Sequence, residues 1–173
     1  MAKGTGERVS AAPIAGAAAV TVRRARTADL EHVVRLRMAL LREHGQHPIY
    51  GRLRQDAERR ARDLFAAQLL APGEVIFLAE RASRVVGILR CVESSASPLL
   101  EPPRYGYVSS VYVEPEARRS GVLRELVASA ERWCADRGLT EIRLHSVHDD
   151  PASNEAWERT GFEAVEIVRL KRI

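Results

Sequence analysis

One segment constrains the fold more than any other, because it passes from a strand through a proline and a glycine into a helix. Residues 105–113 are aromatic and β-branched, which is typical of a strand, and Pro115 ends that pattern. Apolar residues at helical spacing then follow over residues 120–137. A strand, a tight turn carrying Gly121 and a helix in direct succession indicate an α/β domain.

The turn in this segment has the features of an anion site. The first N–H groups of a helix have no partner within the helix, so together with the helix dipole they stabilise an anion. Gly121 leaves room for a close approach, and Arg118, Arg119 and Arg124 add positive charge. The turn matches neither GxxxxGK[ST] nor GxGxxG. We therefore expect a pyrophosphate to bind here, the alternative being an ordinary connection with surface arginines.

The remaining pattern predicts one α/β domain over residues 20–173, preceded by a flexible tail over residues 1–19. The tail is rich in Gly, Ala and Ser and has no amphipathic period. The predicted elements are a strand at 20–26, helices at 27–43 and 52–70, a hairpin at 75–79 and 85–89, a loop at 94–104, the strand and helix already described, a strand at 141–147, a short helix at 153–160 and a last strand at 162–170.

Composition narrows the function class. The 173 residues include 27 basic and 23 acidic ones, and all the basic residues except Lys3 and Lys171 are arginines. These arginines are scattered among acids, which favours a solvated surface over a nucleic-acid interface. No apolar run is long enough for a membrane span. Cys91 and Cys134 form no CxxC pair, and both lie in apolar runs, so we expect reduced cysteines and a cytoplasmic protein.

Three motifs resemble the GNAT superfamily of acyl-CoA-dependent N-acetyltransferases. Residues 22–30 are similar to the R-x-A-x-x-x-D start of these proteins, and Val113-x-Pro115 is similar to the end of their cofactor strand. Residues 118–123 fit [RQ]-x-x-G-x-[GA], except that Leu123 takes the place of a small residue. The run from Asn154 to Gly161-Phe162 is similar to their last signature.

The resemblance implies a single-domain fold with a mixed, mainly antiparallel sheet, splayed at the acetyl-CoA site and flanked by about four helices. Acetyl-CoA would be the acyl donor and a primary amine of a small molecule or peptide the acceptor, attacking directly. The pantetheine arm would pair with the backbone of residues 111–113 of the predicted strand, and the pyrophosphate would lie on the backbone amides of residues 119–124. The residues implied to bind the cofactor are Val111, Tyr112, Val113, Arg118, Arg119, Ser120, Gly121, Val122, Leu123, Arg124, Asn154 and Trp157.

The catalytic acid is the point at which the chain departs from the family. Similar enzymes often use a tyrosine where this chain has Trp157, and an indole N–H is not a usable acid. His145, in the strand that would border the splay, is our candidate for proton transfer, since an unperturbed histidine titrates near neutral pH. Ser109 and Ser110 could hold the amine or a water, and Glu93 could act as a base through water. Tyr105 and Tyr107 are expected to pack.

Two alternatives to an acetyltransferase remain at this stage. The missing tyrosine would also fit a non-catalytic acyl-CoA-binding or regulatory module, and the arginine content leaves a nucleic-acid-binding domain as a second rival. We expect no metal site, because His145 and His148 would point to opposite faces of a strand. Similar proteins are commonly dimers, so a homodimer is an expectation as well.

Overall fold

The computed structural model describes residues 19–173, which form one sheet with helices on both faces. Apart from Ala19, the tail predicted over residues 1–19 lies outside the described residues. None of the helices within them is both long and apolar enough to cross a membrane. The elements are β1 (Val20–Arg24), α1 (Leu30–Glu43), α2 (Ala57–Gln68), β2 (Glu74–Arg81), β3 (Arg84–Ser95), β4 (Arg104–Val113), α3 (Val122–Ala135), β5 (Ile142–Leu144) and α4 (Pro151–Glu158).

The five strands lie in chain order, β1-β2-β3-β4-β5. The first four are antiparallel, and β5 pairs parallel to β4. Because α3 separates these two strands in the chain, it makes the long crossover that a parallel pair requires. This mixed, mainly antiparallel sheet with four flanking helices confirms the predicted α/β fold.

The sheet separates two apolar layers. On one face, Leu126 and the fully buried Trp133 of α3 pack with Leu89 of β3. The free cysteines Cys91 and Cys134 lie in the same layer, and their sulfur atoms are 3.8 Å apart. Burial raises the pKa of both thiols. On the other face, the apolar stripes of α1 and α2 cover β2, β3 and the side chain of Tyr112.

The chain at the start of α1 is held by the side chain of Asp29. The Asp29 carboxylate accepts the backbone N–H of Arg26 at 2.8 Å and pairs with the Arg23 guanidinium of β1 at 2.7 and 2.8 Å. These contacts hold the pKa of Asp29 down, to about 2, with the Arg23 bond as the largest cause. The carboxylate thus joins the first strand to the first helix.

The last predicted strand, residues 162–170, is wrong. Phe162 packs on Trp157, but residues 163–173 form no strand and expose apolar side chains, with Val165 89% and Val168 62% exposed. A strand needs a partner for its backbone, and within residues 19–173 none of the five strands pairs with this segment. The strand predicted over 141–147 is also shorter, since only Ile142–Leu144 pair with β4.

Candidate active site

The site begins where β4 and β5 part. β5 pairs with residues 106–108 of β4 and then ends, whereas β4 continues to Val113. From Ser109 onward, β4 therefore has β3 on one side and no strand on its other side within the described residues. An open strand edge presents backbone donors and acceptors to an extended ligand.

A bulge in β4 shapes this open edge. Ile88 faces Tyr112 and Arg90 faces Ser109, so Leu89 alone opposes both Ser110 and Val111. Ser110 adopts a φ of 53°, a left-handed conformation that is uncommon for a residue other than glycine. The bulge changes which side chains face each layer: Val108 and Val111 both pack toward α3, while Tyr112 packs toward α1.

The turn after β4 carries a row of unpaired amides. Within residues 19–173, the backbone N–H groups of residues 119–124 donate to no acceptor outside the hydrogen bonds of α3 itself. The first N–H group after them that is paired belongs to Glu125, which donates to Gly121 O at 3.1 Å. Gly121 has a φ of 85° and Arg119 one of 58°. The backbone conformation at position 121 therefore favours glycine.

Neighbouring side chains support this turn rather than fill it. The guanidinium of Arg118 donates to Val113 O at 3.0 Å and pairs with Glu43 at 2.6 Å, and the Ser120 hydroxyl donates to Ala117 O at 2.6 Å. Val122 is buried and Leu123 packs against the α3 layer. The side chain of Leu123 thus packs against the core, and within the described residues its amide makes no backbone hydrogen bond outside α3.

A cavity of about 230 Å³ lies at the split, and we call it the β4–β5 pocket. It is lined by Arg37, Leu40 and Leu41 of α1, by His44 and Tyr50 of the following loop, by residues 107–111 of β4, by residues 144–147, and by Ser153 and Trp157 of α4. The pocket and the open edge of β4 share residues 109–111. A group held along the edge would therefore end at the pocket.

The pocket brings His145 and Tyr107 together. The Tyr107 hydroxyl and the His145 Nδ1 share a hydrogen bond of 3.2 Å, and burial raises the pKa of Tyr107. The prediction that Tyr107 only packs is therefore incomplete. Tyr105 does pack, under the Arg143 guanidinium at 4.1 Å. Because successive side chains of β4 point to opposite faces, Tyr107 lies on the same face as Ser109. This alternation is the sequence feature that could have identified Tyr107 as a site residue.

The other predicted candidates separate into those inside and those outside the pocket. Ser109 and Ser110 line it, and the Ser109 hydroxyl accepts from Arg90 at 3.0 Å. Trp157 lines it too, while Asn154 donates to the carbonyls of Val147 and His148 and so shapes the chain after β5. Glu93 is paired with Arg104 and lies outside it.

The sequence reading also missed Arg37 and Tyr50, which line the pocket. Arg37 lies four residues after Val33 and four residues before Leu41, so it interrupts the apolar stripe of α1. This interruption is the sequence feature that could have identified Arg37 as a pocket residue. Among the described residues, no group of three or more His, Cys, Asp or Glu side chains is arranged to hold a metal ion.

Comparison with known proteins decides the family. The model of the acetyltransferase (GNAT) family matches residues 38–162. This chain belongs to that family. It is 30% identical over 121 residues, 68% of its length and 78% of the relative's, to an aminoglycoside N(6')-acetyltransferase type 1 of Klebsiella aerogenes.

Solved structures show the same fold at lower identity. The aminoglycoside N-acetyltransferase AAC(6')-Iy in complex with CoA has a TM-score of 0.73 at 21% identity, covering 94% of this chain and 99% of its own. A predicted acetyltransferase of Clostridium acetobutylicum with acetyl-CoA has a TM-score of 0.72 at 18% identity, covering 88% and 96%.

The GNAT enzyme described here is thus an N-acetyltransferase that takes the acetyl group from acetyl-CoA and transfers it to an amine. The family membership favours catalysis over the non-catalytic module considered from the sequence. It also accounts for a turn of free amides beside an open strand edge, since the donor carries both a pyrophosphate and an extended arm.

Proposed function

We propose that this enzyme binds acetyl-CoA along the split between β4 and β5 and transfers its acetyl group directly to the primary amine of a small molecule in the β4–β5 pocket. One observation carries the proposal: the free amides of residues 119–124, the open edge of β4 and the pocket follow one another along a single path. The 30% identical relative is named for an aminoglycoside acceptor, which supports an acceptor of small-molecule size.

The proposed donor contacts follow this path. The pyrophosphate lies on the amides of residues 119–124, with Arg119 and Arg124 near it and Arg118 bracing the turn against Val113. The pantetheine arm pairs with the backbone of residues 111–113. Trp157 lines the reactive end of the path and Asn154 holds the chain beside it. These contacts position the thioester and leave the proton transfer to other groups.

We assign the proton transfer to Tyr107 and His145. With the Tyr107 hydroxyl donating to Nδ1, the neutral His145 ring carries its proton on Nε2. The attacking nitrogen gives a proton to the Tyr107 oxygen, Tyr107 passes its own proton to Nδ1, and Nε2 gives its proton to the leaving thiolate. One proton thereby moves from the amine to the thiol, and Trp157 need not act as an acid. The exposed His145 ring then regains its starting tautomer by losing the Nδ1 proton and taking one on Nε2 from solvent.

The test of this assignment uses thiol release from acetyl-CoA with a panel of amines. His145→Ala should lower kcat by about 10² to 10⁴-fold while acetyl-CoA affinity, measured by calorimetry, stays unchanged. Tyr107→Phe should reproduce the loss, because it removes the relay but keeps the ring. His148→Ala is the matched control, since this exposed histidine lies outside the pocket. Equal rates in the three variants and the wild type would return His145 to a structural role.

Two further features support proposals about the assembly of the enzyme and its cellular compartment. Residues 163–173 and the outer edge of β5 have no strand partner within the described chain. We therefore propose a homodimer in which each subunit covers this segment of the other subunit. The free Cys91 and Cys134 support a reducing compartment, the cytoplasm.

A further inference from the structure

The wall of the β4–β5 pocket has an unusual charge. Its titratable side chains are Arg37, His44, His145 and two tyrosines, and no Asp or Glu of the described residues lines it. Two nearby acids are engaged by other arginines: Glu43 at the end of α1 pairs with Arg118, and Glu74 of β2 pairs with Arg90 at 2.6 Å. Any acceptor in this pocket therefore meets a wall that is positive or neutral.

Arg37 is the source of this charge. It is partly buried, and within residues 19–173 its guanidinium makes no hydrogen bond and no ion pair. Its neighbours on α1 differ, because Arg35 pairs with Glu114 and Arg42 with Glu58. Burial is the largest cause that lowers the pKa of Arg37; nearby Tyr50 opposes this shift, and the charge of Arg90 adds to it. A partly buried cation without a carboxylate loses solvation that nothing within the described protein replaces.

An aminoglycoside does not suit such a wall. Aminoglycosides carry several amines that are protonated at neutral pH, and one of them would have to lose its proton to react. The remaining cations would face Arg37 with no acidic side chain to compensate, and juxtaposed like charges oppose binding. An anionic group on the acceptor would instead complete the partner set of Arg37, since the guanidinium fork matches a carboxylate or a phosphate.

We propose that the acceptor of this enzyme is a small amine that also carries a carboxylate or a phosphate, and that Arg37 binds that anion. The inference rests on the proposed function, because it places the acceptor in the β4–β5 pocket. Arg37 lines the pocket from α1, whereas Tyr107 lines it from β4 and His145 from the position just after β5. The anion is thus held at one wall while the amine faces the groups assigned to proton transfer.

The test compares matched amines in the presence of saturating acetyl-CoA. The carboxylate pair is 4-aminobutanoate and 4-aminobutanamide, the phosphate pair is glucosamine 6-phosphate and glucosamine, and kanamycin represents the polycations. In the wild type, kcat/KM for the anionic member of at least one pair should exceed that of its neutral counterpart by about ten- to a hundredfold. The pair with the larger ratio identifies the anion.

Variants connect the ratio to Arg37. Arg37→Gln should reduce this ratio to about one, through a higher KM for the anionic amine. Arg37→Lys should restore part of it, since the charge remains but the planar fork is lost. Arg42→Gln is the control, because this exposed arginine lies on the same helix outside the pocket. A ratio unchanged in Arg37→Gln, or a preference for kanamycin, would overturn the proposal.

Calorimetry separates this proposal from the proposed function. With CoA bound, the wild type should bind 4-aminobutanoate or glucosamine 6-phosphate at least about tenfold more tightly than Arg37→Gln does, whether or not these amines are acetylated. Failure of both anionic amines to bind the wild type would overturn the anion site. Thiol release with neutral amines alone would then leave acetyl transfer standing without it.

Discussion

A glycine at position 121 serves two separate purposes in this turn, one conformational and one spatial. Its φ of 85° requires a residue that tolerates the left-handed region, and the amides around it require an empty space in front of them. A Cβ added here would lie 3.4 Å from Arg124 Nη2, an ordinary contact. The methyl group is therefore tolerated sterically, and its cost is the backbone strain alone.

This distinction gives a residue-scale prediction. Gly121→Ala and Gly121→Glu should both lower the free energy of unfolding, by about 1 to 2 kcal/mol, because they share the strained conformation. Only Gly121→Glu places a carboxylate at the proposed pyrophosphate site, so it should weaken acetyl-CoA binding by at least about a hundredfold relative to Gly121→Ala. Calorimetry and urea unfolding measure the two effects separately. Equal affinity of the two variants would move the pyrophosphate away from this turn.

Sequence reasoning identified the site residues whose roles follow from their neighbours in the chain. Gly121 and the strand before it are recognised within a dozen residues. Arg37, Tyr107 and His145 meet only because α1, β4 and β5 converge, and Tyr107 and His145 are 38 residues apart. No local pattern determines that a tyrosine hydroxyl will reach a histidine ring across a parallel strand pair.

Among the elements, periodicity located the helices and the first four strands, most clearly where one face is buried. The third strand is longer than predicted, because it continues past residue 89 to Ser95. The apolar stripes of α1 and α3 cover opposite faces of the sheet. The segment after Phe162 has strand-forming residues, yet pairing depends on a neighbouring strand edge, which is a property of the assembled sheet. The same limit applies to β5, whose length is set by where β4 turns away at its bulge.

The junction between β1 and α1 gives an element-scale prediction on pH. The pKa of Asp29 is about 2 in the folded chain, below the ordinary value of 3.8. The carboxylate therefore stabilises the fold above about pH 4, and this stabilisation is lost as the pH falls toward 2. Asp29→Asn should cost about 1 to 3 kcal/mol at pH 7, and its difference from wild type should shrink across that window.

Urea unfolding at a series of pH values measures this difference. Asp63→Asn serves as the control, because Asp63 is 72% exposed and, among the described residues, pairs only with Arg59 on its own helix. Its difference from wild type should be small at every pH. A difference for Asp29→Asn that stays constant from pH 7 to pH 2 would contradict the role given to the Arg23–Asp29 pair.

For the whole molecule, the exposed segment of residues 163–173 leads to a prediction about assembly. Full-length protein should have the mass of two chains by light scattering, since the apolar side chains around Val165 and Val168 have no cover within the described residues. A variant that ends after Phe162 should have the mass of one chain and keep its affinity for acetyl-CoA. A full-length monomer would refute the proposed homodimer.

The two-substrate arrangement of the molecule is tested most directly by initial rates of thiol release, with acetyl-CoA and the amine varied together. A donor on the β4 edge and an acceptor in the β4–β5 pocket must be bound at once, so double-reciprocal plots should intersect. Protein mixed with acetyl-CoA alone should gain no acetyl group by intact mass. Parallel lines together with an acetylated protein would contradict direct transfer, because they are the signature of a covalent intermediate on the enzyme.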